Sequence, residues 1–299
     1  MAISIFTDAS SNLFASFLKE KESSIHVIPM PLRIGDKEYL CYDSSLDAES
    51  FSHDFYAKMR EGATVKTSLP SPGLLEEEVR KEIEEGNQVA FITLSCGISG
   101  TYQSAKLIAD SINEEKGSYL MAVIDSKTAG FGEGMIALYA ENLAKLNYSL
   151  EDLVKSTEEY VMKVRSEFTV DSLKYLAATG RISKLNAALG NVLMIKPLLY
   201  GSEEGKITVT QKAIGRKNAI KKLLAQVEEY ATDKTKKIYI THCDAPEEAF
   251  EMKAALMAKG FKDIEVYFYD LITGAHVGPG TLAVFYEGAN RAIKKSLLP

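Results

Sequence analysis

The chain alternates between short apolar runs rich in β-forming residues and amphipathic helical stretches, a pattern that few fold classes share. The clearest unit is a strand over Gln88 to Leu94, a helix over Thr101 to Asn113 and a strand over Tyr119 to Asp125. Such βαβ units are typical of α/β proteins and not of helical bundles or β-sandwiches. The sequence therefore predicts an α/β fold.

The length of the chain predicts two lobes. Its 299 residues, 46% of them hydrophobic and 25% charged, suffice for one large or two average domains. Two long helices fill the stretch from Gly130 to Val164, after which a second α/β region begins. We therefore predict an N-terminal α/β lobe over 1–165 and a C-terminal α/β lobe over 166–299. No long Pro/Gly linker separates them, so a fixed cleft between the lobes is the expected ligand site.

Charge and composition exclude several classes of partner. The net charge of −6 and the pI near 5.5 provide no basic field for nucleic acid or an anionic membrane. The sequence shows neither a basic, apolar leader nor an apolar run long enough to span a bilayer, so we expect a cytoplasmic protein. The three cysteines and four histidines lack the spacings of disulfide frameworks or metal sites, and no metal is expected.

The loop from Ser95 to Thr101 is the strongest candidate for binding an anion. It joins a predicted strand to a predicted helix, where backbone N–H groups and the helix dipole favour negative charge. A purely structural interpretation is equally open: Ser99 or Thr101 caps the helix, while Gly97 and Gly100 permit a tight turn. The loop matches neither a nucleophile elbow, which needs Gly-x-Ser-x-Gly, nor a P-loop, which needs a lysine after the glycine.

Three further stretches combine polar residues with turn formers. Lys66 to Gly73 is predicted as an extended polar loop in which Ser71 caps the following helix. Thr273 to Thr281 places His276 in a glycine-rich turn between two strands, where the backbone approaches another group closely. In Leu173 to Ser183, Gly180 is expected to end a helix in the left-handed conformation, and Arg181 is either an interlobe tether or a surface charge.

In this order, the stretches resemble the DegV family of bacterial fatty-acid-binding proteins. The resemblance covers almost the whole chain and rests on Thr7-Asp8, Thr67-Ser68 with Pro70-Ser71, Ser95 through Ala105, Asp125-Ser126, Gly180 through Ser183, and His276 through Thr281.

The resemblance implies two α/β lobes with a lipid tunnel between them, and a long-chain fatty acid such as palmitate, stearate or oleate as ligand. The residues it assigns to the carboxyl group are Thr67, Ser68, Ser95, Cys96 and His276, with supporting loop residues Gly97, Ser99, Gly100, Arg181 and Gly278. Cys96 stands where the family often has a second serine, and a thiol is the weaker hydrogen-bond donor. No cofactor is implied.

Some members of this family are the lipid subunit of a fatty acid kinase. In that role a separate ATP-dependent protein phosphorylates the bound carboxyl group, which agrees with the missing P-loop, and the chain itself is not an enzyme. Many members carry Lys-x-Arg after the strand hairpin of the second lobe. Here the aligned run is Lys212-Ala213-Ile214, so Ile214 replaces the usual arginine, with Arg216 two places later.

Two enzymatic alternatives remain open from the sequence. One is a hydrolase or acyltransferase that uses Ser95 or Ser99 as nucleophile and His276 as base. The other is a role like that of dihydroxyacetone kinases, in which His276 holds a small carbonyl substrate. An apolar tunnel argues against the second.

Overall fold

The computed structural model describes residues 1–42, 48–182 and 194–292. Ser183, the last residue of the stretch Leu173 to Ser183 in the sequence analysis, lies outside these residues. In chain order, the elements of the first half are β1 (Ile3–Asp8), α1 (Ala15–Glu20), β2 (His26–Ile28), β3 (Met30–Ile34), β4 (Lys37–Cys41), α2 (Ala48–Arg60), β5 (Val65–Thr67), α3 (Pro72–Glu84), β6 (Gln88–Thr93), α4 (Thr101–Lys116), β7 (Met121–Asp125), α5 (Phe131–Lys145) and α6 (Leu150–Val161).

The elements of the second half follow after a short turn. They are β8 (Val164–Thr169), α7 (Lys174–Ala178), β9 (Ile195–Gly201), β10 (Ile207–Ile214), α8 (Arg216–Tyr230), β11 (Lys237–His242), α9 (Pro246–Ala258), β12 (Asp263–Phe268), α10 (Leu271–Val277) and β13 (Leu282–Glu287).

A parallel sheet forms the centre of the first half, in the order β2-β1-β6-β7. Its strands are apolar on both faces because helices cover both. Phe6 and Phe91 pack in one buried cluster with Ile112 of α4, whereas Ile5 and Ile92 belong to a second cluster that includes α5. The predicted βαβ unit β6-α4-β7 is confirmed.

A small antiparallel sheet in the order β4-β3-β5 lies beside the parallel one. The predicted hairpin at Gly35 is present, and Gly35 has a φ of +58°. Pro29, which lacks an N–H for the ladder, lies between β2 and β3, and these two strands join different sheets. The segment at 65–67, expected to be partly loop, is an edge strand in which Thr67 pairs with Leu32.

The second half forms a six-stranded mixed sheet in the order β10-β9-β8-β13-β11-β12. Only β11 and β12 run parallel, joined through α9, and the other neighbours are antiparallel. The sheet begins at Val164, next to the predicted lobe boundary at 165. One buried cluster, including Ile92, Phe131 and Phe168, continues from the first half into this sheet. The division into lobes at that residue stays a prediction.

The setting of His276 differs from the sequence prediction. His276 does not lie in a turn between strands but in the last turn of helix α10. The helix forms because the Asp270 side chain accepts a hydrogen bond from the Thr273 N–H at 2.6 Å, which caps its start. Gly274 allows the helix to lie on Tyr56, since a Cβ at Gly274 would fall 2.0 Å from the tyrosine hydroxyl. The strand predicted to reach Leu271 therefore ends at Phe268.

Candidate functional site

A cavity of about 380 Å³ lies between the loops of the first half and the six-stranded sheet. Its volume falls in the range of roughly 300–1,000 Å³ typical of small-molecule sites. The residues that line it are Met30, Thr67, Ser68, Leu69, Leu94, Ile98, Ser99, Lys127, Thr128 and Ala129 from the first half, and Ser166, Phe168, Leu176, Arg181, Gly201, Gly205, Ile207, Tyr269, Ile272, Thr273, His276, Val277 and Phe285 from the second.

Thr67 and His276 form the central polar contact of this cavity. The Thr67 hydroxyl oxygen lies 2.8 Å from His276 Nε2. Strand β5 fixes Thr67 through its pairing with β3, and the capped helix α10 fixes His276. His276 Nδ1 is buried without a hydrogen-bond partner among the described residues. The tautomer of the ring therefore decides whether Thr67 donates or accepts.

His276 is neutral at neutral pH. Burial, together with the positive charge of Arg181, lowers the pKa of its imidazole from 6.5 to about 4. A neutral imidazole donates one hydrogen bond and accepts another but carries no charge. The ring thus recognises a ligand by hydrogen bonding, and any cationic contribution to the cavity comes from elsewhere.

Arg181 provides a cation at the same end of the cavity. Its Nε donates to Ile98 O at 3.3 Å, which ties the segment after α7 to the loop before α4, and its Nη1 donates to Thr179 O at 2.5 Å. Gly180, with a φ of +74°, adopts the predicted left-handed conformation just before it. Burial lowers the pKa of the guanidinium. Within residues 1–42, 48–182 and 194–292 no carboxylate pairs with Arg181, so its charge is available to an anionic ligand.

Ser95 does not line the cavity. It is 0% exposed, and its hydroxyl donates to Gly205 O at 2.7 Å while accepting from the Gly97 N–H at 3.1 Å. Gly205 has a φ of +72°, and a Cβ there would lie 2.2 Å from Ser95 Oγ. Ser95 therefore fastens its loop to the turn between β9 and β10. Sequence reasoning missed Gly205, whose position between two predicted strands was the available signal.

Cys96 and Ser99 occupy different sides of the same loop. The Cys96 N–H donates to Asp125 Oδ1 at 3.0 Å, and burial and Asp125 raise the pKa of its thiol to about 11. Ser99 lines the cavity, and its hydroxyl lies 2.9 Å from that of Thr101. Gly100 is the N-cap residue of α4, while Ser99 Oγ accepts from the Thr101 N–H at 3.3 Å.

Of the remaining predicted residues, Ser68 lies at the opening of the cavity, and Gly97 and Gly278 allow neighbouring groups to pack closely against the backbone. Ser68 is exposed and lines the cavity next to Leu69. Gly97 lies against Gly205: a Cβ at Gly97 would fall 2.5 Å from the carbonyl oxygen of Gly205. Gly278 has a φ of +83° and packs on Tyr175 of α7. These glycines allow close backbone approach but have no side chain to offer a ligand.

The geometry does not supply the serine–histidine pair of a hydrolase. Ser95 is bonded to Gly205 and Ser99 to Thr101, whereas the described partner of His276 is Thr67. In the described part of the chain no carboxylate holds Nδ1 of His276, the position where a catalytic base is normally oriented. The arrangement fits a binding site better than this catalytic one.

The described residues lack the features of a metal site and of a membrane-spanning helix. They contain no group of three or more histidine, cysteine or carboxylate side chains placed to hold a metal ion. No helix among them is sufficiently long and apolar to cross a bilayer.

The fold and the cavity together define an α/β protein of three sheets with a largely apolar cavity that carries polar side chains at Thr67, His276 and Arg181. The family model described as "Uncharacterised protein, DegV family" matches residues 2–289. This chain belongs to the DegV family.

Individual relatives support this assignment over the whole length. A DegV domain-containing protein of Clostridium perfringens is 32% identical over 286 residues, which are 95% of this chain and 97% of the relative. The fatty acid binding DegV family protein of Streptococcus agalactiae is 27% identical with a TM-score of 0.84, covering 97% of this chain and 100% of the other. A fatty-acid-binding DegV family protein of Thermus thermophilus is also 27% identical, with a TM-score of 0.83 over 96% and 100% of the two chains.

Proposed function

We propose that this protein binds a long-chain fatty acid, such as palmitate, stearate or oleate, in the cavity between its sheets. The observation that carries the proposal is the asymmetry of the cavity. Thr67, His276 and Arg181 meet at one end, whereas aliphatic and aromatic side chains make up most of the remaining wall. A fatty acid has the same asymmetry. The fatty-acid-binding relatives described above support the choice of ligand.

The carboxyl group belongs at the Thr67 end. The Thr67 hydroxyl and the neutral His276 ring offer hydrogen bonds, and the Arg181 guanidinium offers charge. Hydrogen bonds with a charged partner are stronger than neutral ones. Ser68 and Ser99, which also line the cavity, offer two further hydroxyls. Ser95, Cys96, Gly97, Gly100 and Gly278 support the loops that place these groups.

The acyl chain supplies most of the binding free energy. Burying some fourteen methylenes contributes on the order of 11 kcal/mol at about 0.8 kcal/mol each. Association costs at least about 4 kcal/mol in lost translational and rotational freedom. The surplus is enough for tight binding without a strong grip on the carboxyl group, which leaves that group approachable from the mouth beside Ser68 and Leu69.

We further propose that the protein is a non-catalytic cytoplasmic subunit that presents the carboxyl group to an ATP-dependent kinase. In that reaction a carboxylate oxygen attacks the γ-phosphorus of ATP, giving an acyl phosphate and ADP. Ile214 is 70% exposed, while Arg216 is held by Glu248 and donates to Gly280 O at 2.7 Å. Arg216 is thus not free to replace the arginine usual at 214, and Lys212 remains as the exposed cation of this run.

Mass spectrometry of an organic extract of the natively purified protein tests the binding proposal. We expect a long-chain fatty acid in near-stoichiometric amount. A clean extract from a protein that also takes up neither added oleate nor added palmitate contradicts it. Turnover of a chromogenic ester, abolished by Ser99→Ala, would instead favour the hydrolase.

A coupled assay tests the kinase partnership. The fatty acid complex is mixed with ATP and a fatty acid kinase subunit from the same source, and acyl phosphate is trapped with hydroxylamine. We expect hydroxamate only when all three components are present. Hydroxamate formation without the lipid-binding protein, or none with it, contradicts the proposed role.

A further inference from the structure

One row of side chains on the six-stranded sheet passes beneath two separate pockets. Phe285 of β13 is the direct cross-strand partner of Ser166 in β8 and of Tyr239 in β11. Directly paired residues of neighbouring strands project from the same face of a sheet. Ser166 and Phe285 line the main cavity, whereas Tyr239 lines a second pocket of about 280 Å³. Phe285 therefore stands between the two pockets.

Gly201, Ser166 and Phe285 all line the main cavity. Gly201 lies beside Ser166, and a Cβ at Gly201 would fall 2.7 Å from Ser166 Oγ. The serine hydroxyl therefore occupies the space beside Gly201, and these two small residues of the cavity wall are followed in the row by the large Phe285. The change from small to large side chains marks the end of the cavity.

Aromatic rings fill the space between Phe285 and the second pocket. The rings of Tyr269 and Phe285 meet edge to face with centroids 5.9 Å apart. Both press on Gly130, where a Cβ would lie 2.8 Å from Tyr269 Cε1 and 3.0 Å from Phe285 Cζ. The next residue, Phe131, stacks on Tyr239 with centroids 4.3 Å apart. The wall is continuous from one pocket to the other.

We propose that Phe285 sets the maximum length of acyl chain that the protein accepts. The inference rests on the proposed fatty acid binding. In this inference the carboxyl group lies at Thr67 and His276, and the methyl end of the chain reaches the Phe285 ring. Removing the Phe285 ring leaves its own volume to a longer chain, bounded by the neighbouring ring of Tyr269.

The test measures dissociation constants for a saturated series from lauric to behenic acid. Phe285→Ala is expected to move the optimum to longer chains, with about a fourfold gain in affinity for each further methylene buried. Phe285→Leu should give a smaller shift in the same direction. Ser166→Val, which adds bulk to the cavity wall, should move the optimum to shorter chains.

Val284→Ala is the matched control, since Val284 is buried on the opposite face of the same strand. It removes core volume without touching the cavity, and its optimum should equal that of the unmodified protein. If the optimum stays unchanged in Phe285→Ala and Phe285→Leu, or moves equally in Val284→Ala, the inference about Phe285 is wrong while fatty acid binding stands. If the unmodified protein binds no member of the series, the proposed function fails and the inference with it.

Discussion

The Thr67 hydroxyl lies 2.8 Å from Nε2 of His276, although the two residues are 209 positions apart in the chain. An edge strand from the first half and a short helix from the second meet at this contact. Both side chains line the cavity, and under the proposed function the carboxyl group of the fatty acid competes with this contact for the same hydrogen-bonding groups. The contact is therefore the natural starting point for testing the site.

Replacing Thr67 by valine removes the hydroxyl and keeps the shape of the side chain. One hydrogen bond contributes about 1 kcal/mol, so we expect fatty acid affinity to fall about fivefold. Displacement of a fluorescent fatty acid measures the change. Thr64→Val, at an exposed position three residues earlier, is the control and should leave affinity unchanged. Equal losses in the two variants would contradict the assigned role of Thr67.

The charge of Arg181 should matter only for an ionised ligand. We expect Arg181→Gln to lower the affinity for oleate about tenfold or more, because hydrogen bonds to charged groups contribute about 1.5–3 kcal/mol. The affinity for oleyl alcohol should barely change. Lys212→Gln, which removes an exposed cation away from the cavity, is the control. Parallel losses for acid and alcohol would show that Arg181 acts on the fold rather than on the carboxylate.

His276 should make the protein less stable in mild acid. Its pKa is about 4 when folded against an ordinary value of 6.5, so between these values the unfolded chain binds the extra proton. Stability is therefore fully present above pH 6.5 and is lost as pH falls toward 4, by at most about 3 kcal/mol. Urea unfolding at several pH values, compared between wild type and His276→Gln, isolates this contribution. Identical pH dependence in the two proteins would be the contrary result.

Glu133 should make the protein less stable as pH rises, the opposite of the pH dependence expected for His276. It is fully buried, accepts from the hydroxyls of Thr7 at 2.8 Å and Ser10 at 3.0 Å, and burial together with Asp8 raises the pKa of its carboxyl group well above 4.5. The folded state then keeps a proton that the unfolded chain releases, so stability falls as pH rises above 4.5. We expect Glu133→Gln to gain stability relative to wild type between pH 5 and pH 8, measured by urea unfolding. A constant difference across this range contradicts the expectation.

We expect substitution of Ser95 to lower the stability of the fold and substitution of Ser99 to lower the affinity for fatty acid. Ser95→Ala breaks the bond to Gly205 O and leaves buried backbone groups without their partner, which costs about 1–3 kcal/mol of unfolding free energy. Ser99→Ala changes a hydroxyl at the cavity wall, so its main effect should be on fatty acid affinity. Chemical unfolding and ligand titration of both variants test this division. The opposite pattern would place the carboxyl group next to Ser95.

Much of the local structure was determined by the sequence alone. Alternating strand and helix patterns predicted β6-α4-β7, Ser71 was correctly expected to cap α3, and Gly180 adopts the left-handed conformation expected of it. These features depend on hydrogen bonds and backbone preferences within a few residues, which a sequence pattern reports directly. The motif order also sufficed to recognise the family.

Only the tertiary structure decided which motif residues face the cavity. Ser95 and Ser99 lie four residues apart in one loop, yet one hydroxyl is bound to Gly205 and the other lines the cavity. His276 was expected in a turn, but the Asp270 cap and the close approach of Gly274 to Tyr56 place it on a helix. The position of Phe285 between two pockets depends on strand register. Contacts of this kind join residues far apart in the chain, and their geometry is set by packing that no local pattern records.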